Sequence, residues 1–179
     1  MYETLRHLDL SEKISKEKLL RFLKRESDDI HITDIMTSYV QLVEDGKYVQ
    51  SGYRREYLEA YIKGFLMRVK EIKDDKAEYS DDIDIKEFQE ALKTLKEQEK
   101  MVKKEMSLES NFFKIYKNVS IYTTFILEEP IHIVGTLFPG GFRVKLENGT
   151  YYCPVKEKQK DNPGAVCGFC IAEQDEDVL

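Results

Sequence analysis

Nothing in this sequence is apolar for long. Its longest uninterrupted apolar stretches last only a few residues, far short of the ~20 that a helix needs to cross a bilayer. The first residues, Met1 to His7, already carry charge, so no apolar signal-peptide core is expected there. Cysteine is scarce: three residues, an odd number, cannot form a closed disulfide framework in one chain. A reducing compartment suits such a set, and the expectation is a cytoplasmic protein. Positive charge is in deficit. Lys and Arg number 28 against 34 Asp and Glu, for a net charge of −6, whereas duplex nucleic-acid binding rests on an excess of Lys and Arg.

Proline is missing from most of the chain. All four prolines, and six of the nine glycines, lie after Glu129. The front therefore has almost no punctuation and reads as long helices; the end reads as turns and strands. With 179 residues, 41% hydrophobic and 35% charged, the chain is expected to form one domain over 1–179. Residues 1–129 would make a helical bundle, and a Gly/Pro-rich segment over 130–179 would pack on it. A chain of this size buries roughly 70% of its extended surface and needs no metal or disulfide simply to fold.

The clearest helical stripe starts near Ser51. Leu58, Tyr61, Ile62, Phe65, Leu66, Val69 and Ile72 recur at three- and four-residue steps, which places them on one face. A second begins at Asp84, where Asp84 and Glu87 have capping-box spacing. Ile85, Phe88, Leu92, Leu95, Val102 and Met106 follow it in heptads, interrupted by Glu99. Residues 15–26 carry Leu19, Leu20 and Leu23 behind a Ser15 cap. Residues 34–44 carry Ile35, Met36, Tyr39, Val40 and Val43 behind Thr33 or Asp34. From Ser107 to Leu127 the pattern is strongly apolar.

After Pro130 the period becomes two. Phe142, Val144 and Leu146 alternate with Arg143, Lys145 and Glu147. Asn148-Gly149 then supplies a two-residue hairpin turn, whose central residues both need positive φ. That turn sets Leu146 opposite Tyr151 and Val144 opposite Cys153. Cys153 is thus expected to face inward with Phe142, Val144, Leu146, Tyr151 and Val155.

The cysteines fall as Cys153, then Cys167-Gly168-Phe169-Cys170. A C-x-x-C pair brings two sulfurs within reach of one tetrahedral ion, and a third from a nearby strand completes three ligands. His132 is the candidate fourth, with Glu173 or Asp175 behind it. Zinc is the first cofactor to consider. Three cysteines with one open position also suit an iron–sulfur cluster, but the spacing does not match ferredoxin runs. A redox pair at Cys167 and Cys170 lacks the surrounding βαβ pattern. Core cysteines and a packed histidine are the competing structural reading.

The remaining features are less specific. Gly135 to Gly141 matches neither the P-loop nor the dinucleotide fingerprint and reads as a turn feeding the hairpin. Arg143, Lys145, Lys156, Lys158 and Lys160, with Tyr152, form a local basic patch that could hold an anion or single-stranded RNA. Glu173 to Asp177 reads as a solubilising acidic end. No Ser/His/Asp order, paired carboxylates or H-E-x-x-H is visible.

The run Ile131-His132-Ile133-Val134-Gly135-Thr136-Leu137-Phe138-Pro139-Gly140-Gly141 leads on to Tyr151-Tyr152-Cys153-Pro154-Val155-Lys156. After it come Asp161-Asn162-Pro163 and Cys167-Gly168-Phe169-Cys170. Together these resemble an uncharacterised archaeal family known chiefly from methanogens, domain of unknown function 2115. The resemblance covers about residues 130–175, and over the helices only pattern and length. The family pattern has proline where Ile133 stands. It implies a cytoplasmic archaeal protein and supplies no catalytic residues.

The sequence therefore predicts a mainly α protein: about five helices in a bundle, with a C-terminal β-hairpin and a cysteine-bearing loop packed on it. Its leading functional reading is a non-enzymatic metal-binding or interaction protein using Cys153, Cys167, Cys170 and His132, with a protein partner or a second copy as candidate company. The alternatives are a thiol- or metal-dependent enzyme at Cys167 and Cys170, and the basic hairpin face. No membrane partner is expected.

Overall fold

The structure is a computed structural model, described over residues 10–105, 109–138, 140–162 and 165–178. It is mainly helical with a small C-terminal sheet. Helix α1 (Lys16–Asp28) starts at Ser15, whose hydroxyl accepts the Lys18 N–H at 3.2 Å. Helix α2 (Ile32–Asp45) starts two residues before the expected cap. His31 holds the N-cap position, and Asp34 accepts the His31 N–H at 2.9 Å. Helix α3 (Arg54–Tyr61) passes through a π turn, Ile62–Leu66, into α4 (Arg68–Asp74). Asp84 caps α5 (Ile85–Glu105), accepting N–H groups from Lys86 and Glu87 at 2.8 and 3.0 Å. Helix α6 (Glu109–Tyr122) ends in a second π turn, Thr123–Leu127.

Helix α6 is the centre of the bundle and touches α1, α2, α4 and α5. Ile115, Val119 and Ile121 are fully enclosed there, but so are Lys117, Asn118 and Ser120. The ammonium of Lys117 lies 3.7 Å from the Glu26 carboxylate of α1, and both side chains are about 2% exposed. Helix α2 buries Ser38 and Leu42 and leaves Ile32, Met36, Tyr39 and Val40 in solvent. The apolar stripe expected there thus faces mostly outward. Among the described residues no helix is long and apolar enough to cross a membrane.

The exit from α6 is fixed by two cations. Lys16 binds Glu128 at 2.6 Å and Arg68 binds Glu129 at 2.6 Å. Glu128 adopts the left-handed conformation (φ 54°) that closes a helix, and Pro130 follows.

Beyond it, strands β1 (Lys145–Glu147) and β2 (Thr150–Cys153) pair antiparallel with Leu146 opposite Tyr151, as the turn dictates. Asn148 and Gly149 carry the required positive φ of 51° and 83°. The facing expectation is only half met. Val144 and Cys153 are buried, whereas Phe142 and Leu146, two residues to either side of Val144, are 42% and 50% exposed. A short helix, α7 (Lys156–Gln159), follows.

The acidic end is not a loose tail. Glu173–Gln174 form β3, parallel to β2, and Asp175 is buried against Lys145 at 2.8 Å. The expected solubilising role fails because Cys153 accepts the Asp175 N–H at 3.1 Å, drawing the chain into the sheet.

The Lys117–Glu26 pair makes a sharp stability prediction. Lys117→Met leaves a buried carboxylate without its cation and is expected to cost about 3–5 kcal/mol in urea unfolding, most of which Glu26→Leu restores in the double variant. Additive losses in the two single variants would show that the two charges do not act as a pair.

Candidate functional site

The cysteine segment is held by its own backbone. Cys170 donates its N–H to the Val166 carbonyl at 3.2 Å, and Val166 itself is in the core, so Cys167 and Cys170 share one tight turn. Phe169 stacks on Phe125 with ring centres 6.5 Å apart, and Gln98 donates to the Ala165 carbonyl at 2.9 Å. Lys156, from α7, donates to the carbonyls of Cys167 and Cys170. These contacts carry the turn to the end of β2, where Cys153 is waiting.

The result is convergence. Cys153, Cys167, Cys170 and His132 all line one small cavity of about 10 Å³, with Ile131, Val144 and Val166 as apolar neighbours. All three thiols are free; Cys153 and Cys167 are buried and Cys170 is half-buried. Burial, followed by the neighbouring thiols Cys153 and Cys170, pushes Cys167 up to about 11. Burial likewise raises Cys153, with Cys170 adding to it. Among the described residues, no three His, Cys, Asp or Glu are arranged to hold a metal ion as they stand.

His132 also belongs to an aromatic cluster. Its ring meets Tyr61, Phe65 and Phe138 edge-on at 5.9, 5.9 and 5.4 Å. Burial drives its pKa down to about 4, so it is neutral at pH 7. The two expected reserve ligands do not join: Asp175 pairs with Lys145, and Glu173 is exposed on β3.

The expected basic face is largely taken up internally. Arg143 pairs with Glu56 at 2.6 Å, Lys145 with Asp175 and Asp177, Lys160 with Glu157, and Lys156 holds the cysteine turn. Cys170 and Lys156 do border open space: a groove of about 920 Å³ runs between α5, α7 and β3.

One group of residues escaped the sequence reading. Tyr53, at the N-cap of α3, and Tyr57 and Tyr61 on the helix are spaced by four and line a second cavity with Tyr48 and Phe138. Their i, i+4, i+8 spacing was the available signal, but Tyr61 alone was counted, as a core position.

Comparison with known proteins places the chain. A family model described as an uncharacterised protein conserved in archaea (DUF2115) matches residues 15–175. The chain belongs to this archaeal family. It is 40% identical over 165 residues to a UPF0305 protein of Methanothermobacter thermautotrophicus, covering 92% of this chain and 99% of that one. A UPF0305 protein of Methanococcus maripaludis is 36% identical over 89% of this chain and 97% of its own length. One from Methanocaldococcus jannaschii is 30% identical over 87% and 94%. No solved structure matches the chain.

Two measurements check this geometry. Native protein titrated with a thiol reagent near pH 8 should show Cys170 reacting first, with Cys153 and Cys167 slow until the chain is unfolded. Three equally fast thiols would contradict the burial. For His132 the folded pKa lies below the unfolded value of ~6.5, so the unfolded chain binds the extra proton. In metal-free protein stability is expected to fall as pH drops from about 6.5 to about 4, by up to about 3 kcal/mol, and this component should vanish in His132→Leu.

Proposed function

We propose that the protein binds one thiophilic cation through Cys153, Cys167 and Cys170, with zinc the first candidate and His132 as the fourth donor. The observation that carries this reading is the shared cavity: residues separated by up to 38 positions (132 to 170) line about 10 Å³ of common space. The thiols raise one another's pKa. A bound cation reverses that repulsion, since a coordinating thiol is deprotonated outright. The Lys156 ammonium, which only partly offsets the raising of Cys153 and Cys167, donates to backbone carbonyls. A neutral imidazole is the form in which histidine ligates metal.

Binding would tighten the Cys167–Cys170 turn against β2, and its role is that of a staple for residues 131–175. Metal affinity is then folding free energy for that segment. The groove at Cys170 favours a second reading, in which this half-buried thiol reacts with a substrate at an open site.

Elemental analysis and an absorption spectrum of anaerobically prepared, untagged protein decide between them. About one zinc per chain, lost in Cys170→Ser together with protease resistance of residues 131–175 but not of the helices, supports the staple. Iron with charge-transfer bands would replace zinc with a redox centre. Metal-free protein with three titratable thiols would overturn metal binding, and a fast-reacting Cys170 would then favour the thiol reading.

A further inference from the structure

Thr136, Leu137, Phe138 and Gly140 of the loop Gly135 to Gly141 on one side and Tyr48 to Tyr61 on the other line the second cavity, of about 470 Å³, which is in the size range of small-molecule sites. Tyr48, Tyr53, Tyr57 and Tyr61 form one wall, and Leu137 and Phe138 the other. The loop is built to stay close. Phe138 donates its N–H to the Phe142 carbonyl at 2.8 Å, and Gly141 donates back to Phe138 at 3.1 Å. Gly140, at φ 92°, holds a backbone conformation that strains any side chain, and a Cβ there would lie 2.8 Å from the Phe142 ring, which would have to shift.

The lining excludes most ligand chemistries. Among the described residues no Lys, Arg, Asp or Glu lines the cavity, and the charge felt at Tyr57 and Tyr61 is the Asp45 carboxylate, so an entering anion would shed water without a counter-ion. Aromatic surfaces dominate, and Tyr57 and Tyr61 already contact each other with ring centres 4.6 Å apart. Tyr57 and Tyr61 are half-buried, whereas Tyr48 and Tyr53 are exposed. Burial raises both Tyr57 and Tyr61, which keeps them protonated and able to donate. The Thr136 hydroxyl is used already, donating to the Ile133 carbonyl at 2.7 Å. Tyr48 stands at the rim 93% exposed, an aromatic side chain with almost no protein to pack on.

We propose that this cavity is a binding site for an uncharged, planar heteroaromatic molecule carrying hydrogen-bond acceptors such as ring carbonyls or ring nitrogens. Its rings stack on the Tyr53–Tyr57–Tyr61 stripe, and its acceptors take the phenol protons. Tyr48 covers the outer edge. The cavity shares no lining residue with the one at the cysteines, so its test does not require metal there.

The test uses the full chain and lumichrome, a neutral three-ring heterocycle with two carbonyls, followed by its own fluorescence. Saturable quenching is expected. Tyr57→Ala should weaken it about tenfold or more, and Tyr57→Phe, which keeps the ring and loses the donor, about threefold. Circular dichroism checks that both variants fold. If Tyr57→Ala does not, the tyrosine ring NMR signals of the unsubstituted protein decide: shifts at Tyr53, Tyr57 and Tyr61 support the site, and shifts elsewhere overturn it. Absence of saturable quenching up to the solubility limit also overturns it. So does equal competition by 1-adamantanol, which is bulky but saturated, or displacement by tetramethylammonium, which would mark a cation cage.

Discussion

The architecture of the C-terminal third depends on how the chain leaves the central helix. Lys16 and Arg68 are 8% and 11% exposed at their side chains, and each finds its carboxylate at Glu128 or Glu129. Cations so poorly hydrated need those partners, so the two pairs settle one exit direction for residues 128–129. From that fixed point Ile131 drops into the core and His132 falls against Tyr61 and Phe65. The glycine loop is then carried across α3. Both candidate sites are consequences of this one placement.

Much of the bundle was legible because burial imposes a period on the residues that meet it. Leu19 and Leu23, or Phe88 and Leu95, are enclosed where their spacing put them. Ser15 and Asp84 cap because a short oxygen-bearing side chain can reach the free N–H groups of a first turn. The Asn148-Gly149 turn was equally readable, and its register turns Cys153 inward, where the residue is buried.

What stayed hidden has physical reasons as well. The π turn at Ile62–Leu66, closed by the Met67 N–H on the Ile62 carbonyl at 2.9 Å, inserts one residue and shifts the helical phase. Leu58, Tyr61 and Ile62 are therefore only partly buried while Phe65, Val69 and Ile72 are enclosed, although all seven stripe positions looked alike in sequence. Strand β3 is two polar residues long and has no pattern of its own; its pairing comes entirely from the neighbouring strand. The outward face of α2 shows the same limit, since periodicity identifies an apolar stripe but not whether anything covers it.

His132, Tyr61 and Phe138 form a wall with thiols on one side and phenols on the other. The wall is apolar enough to hold the imidazole neutral, and the same scarcity of water raises the pKa of Cys167 behind it and Tyr61 within it. Proton-bearing, uncharged groups are thus the resting state on both faces. On the tyrosine side that state is useful as it stands, because a phenol that keeps its proton remains a donor. On the cysteine side the same state keeps the sulfurs as thiols, and in the function proposed above a cation would take the proton's place. The contrast between the two faces follows from phenol and thiol chemistry in one shared dielectric rather than from any difference in fold.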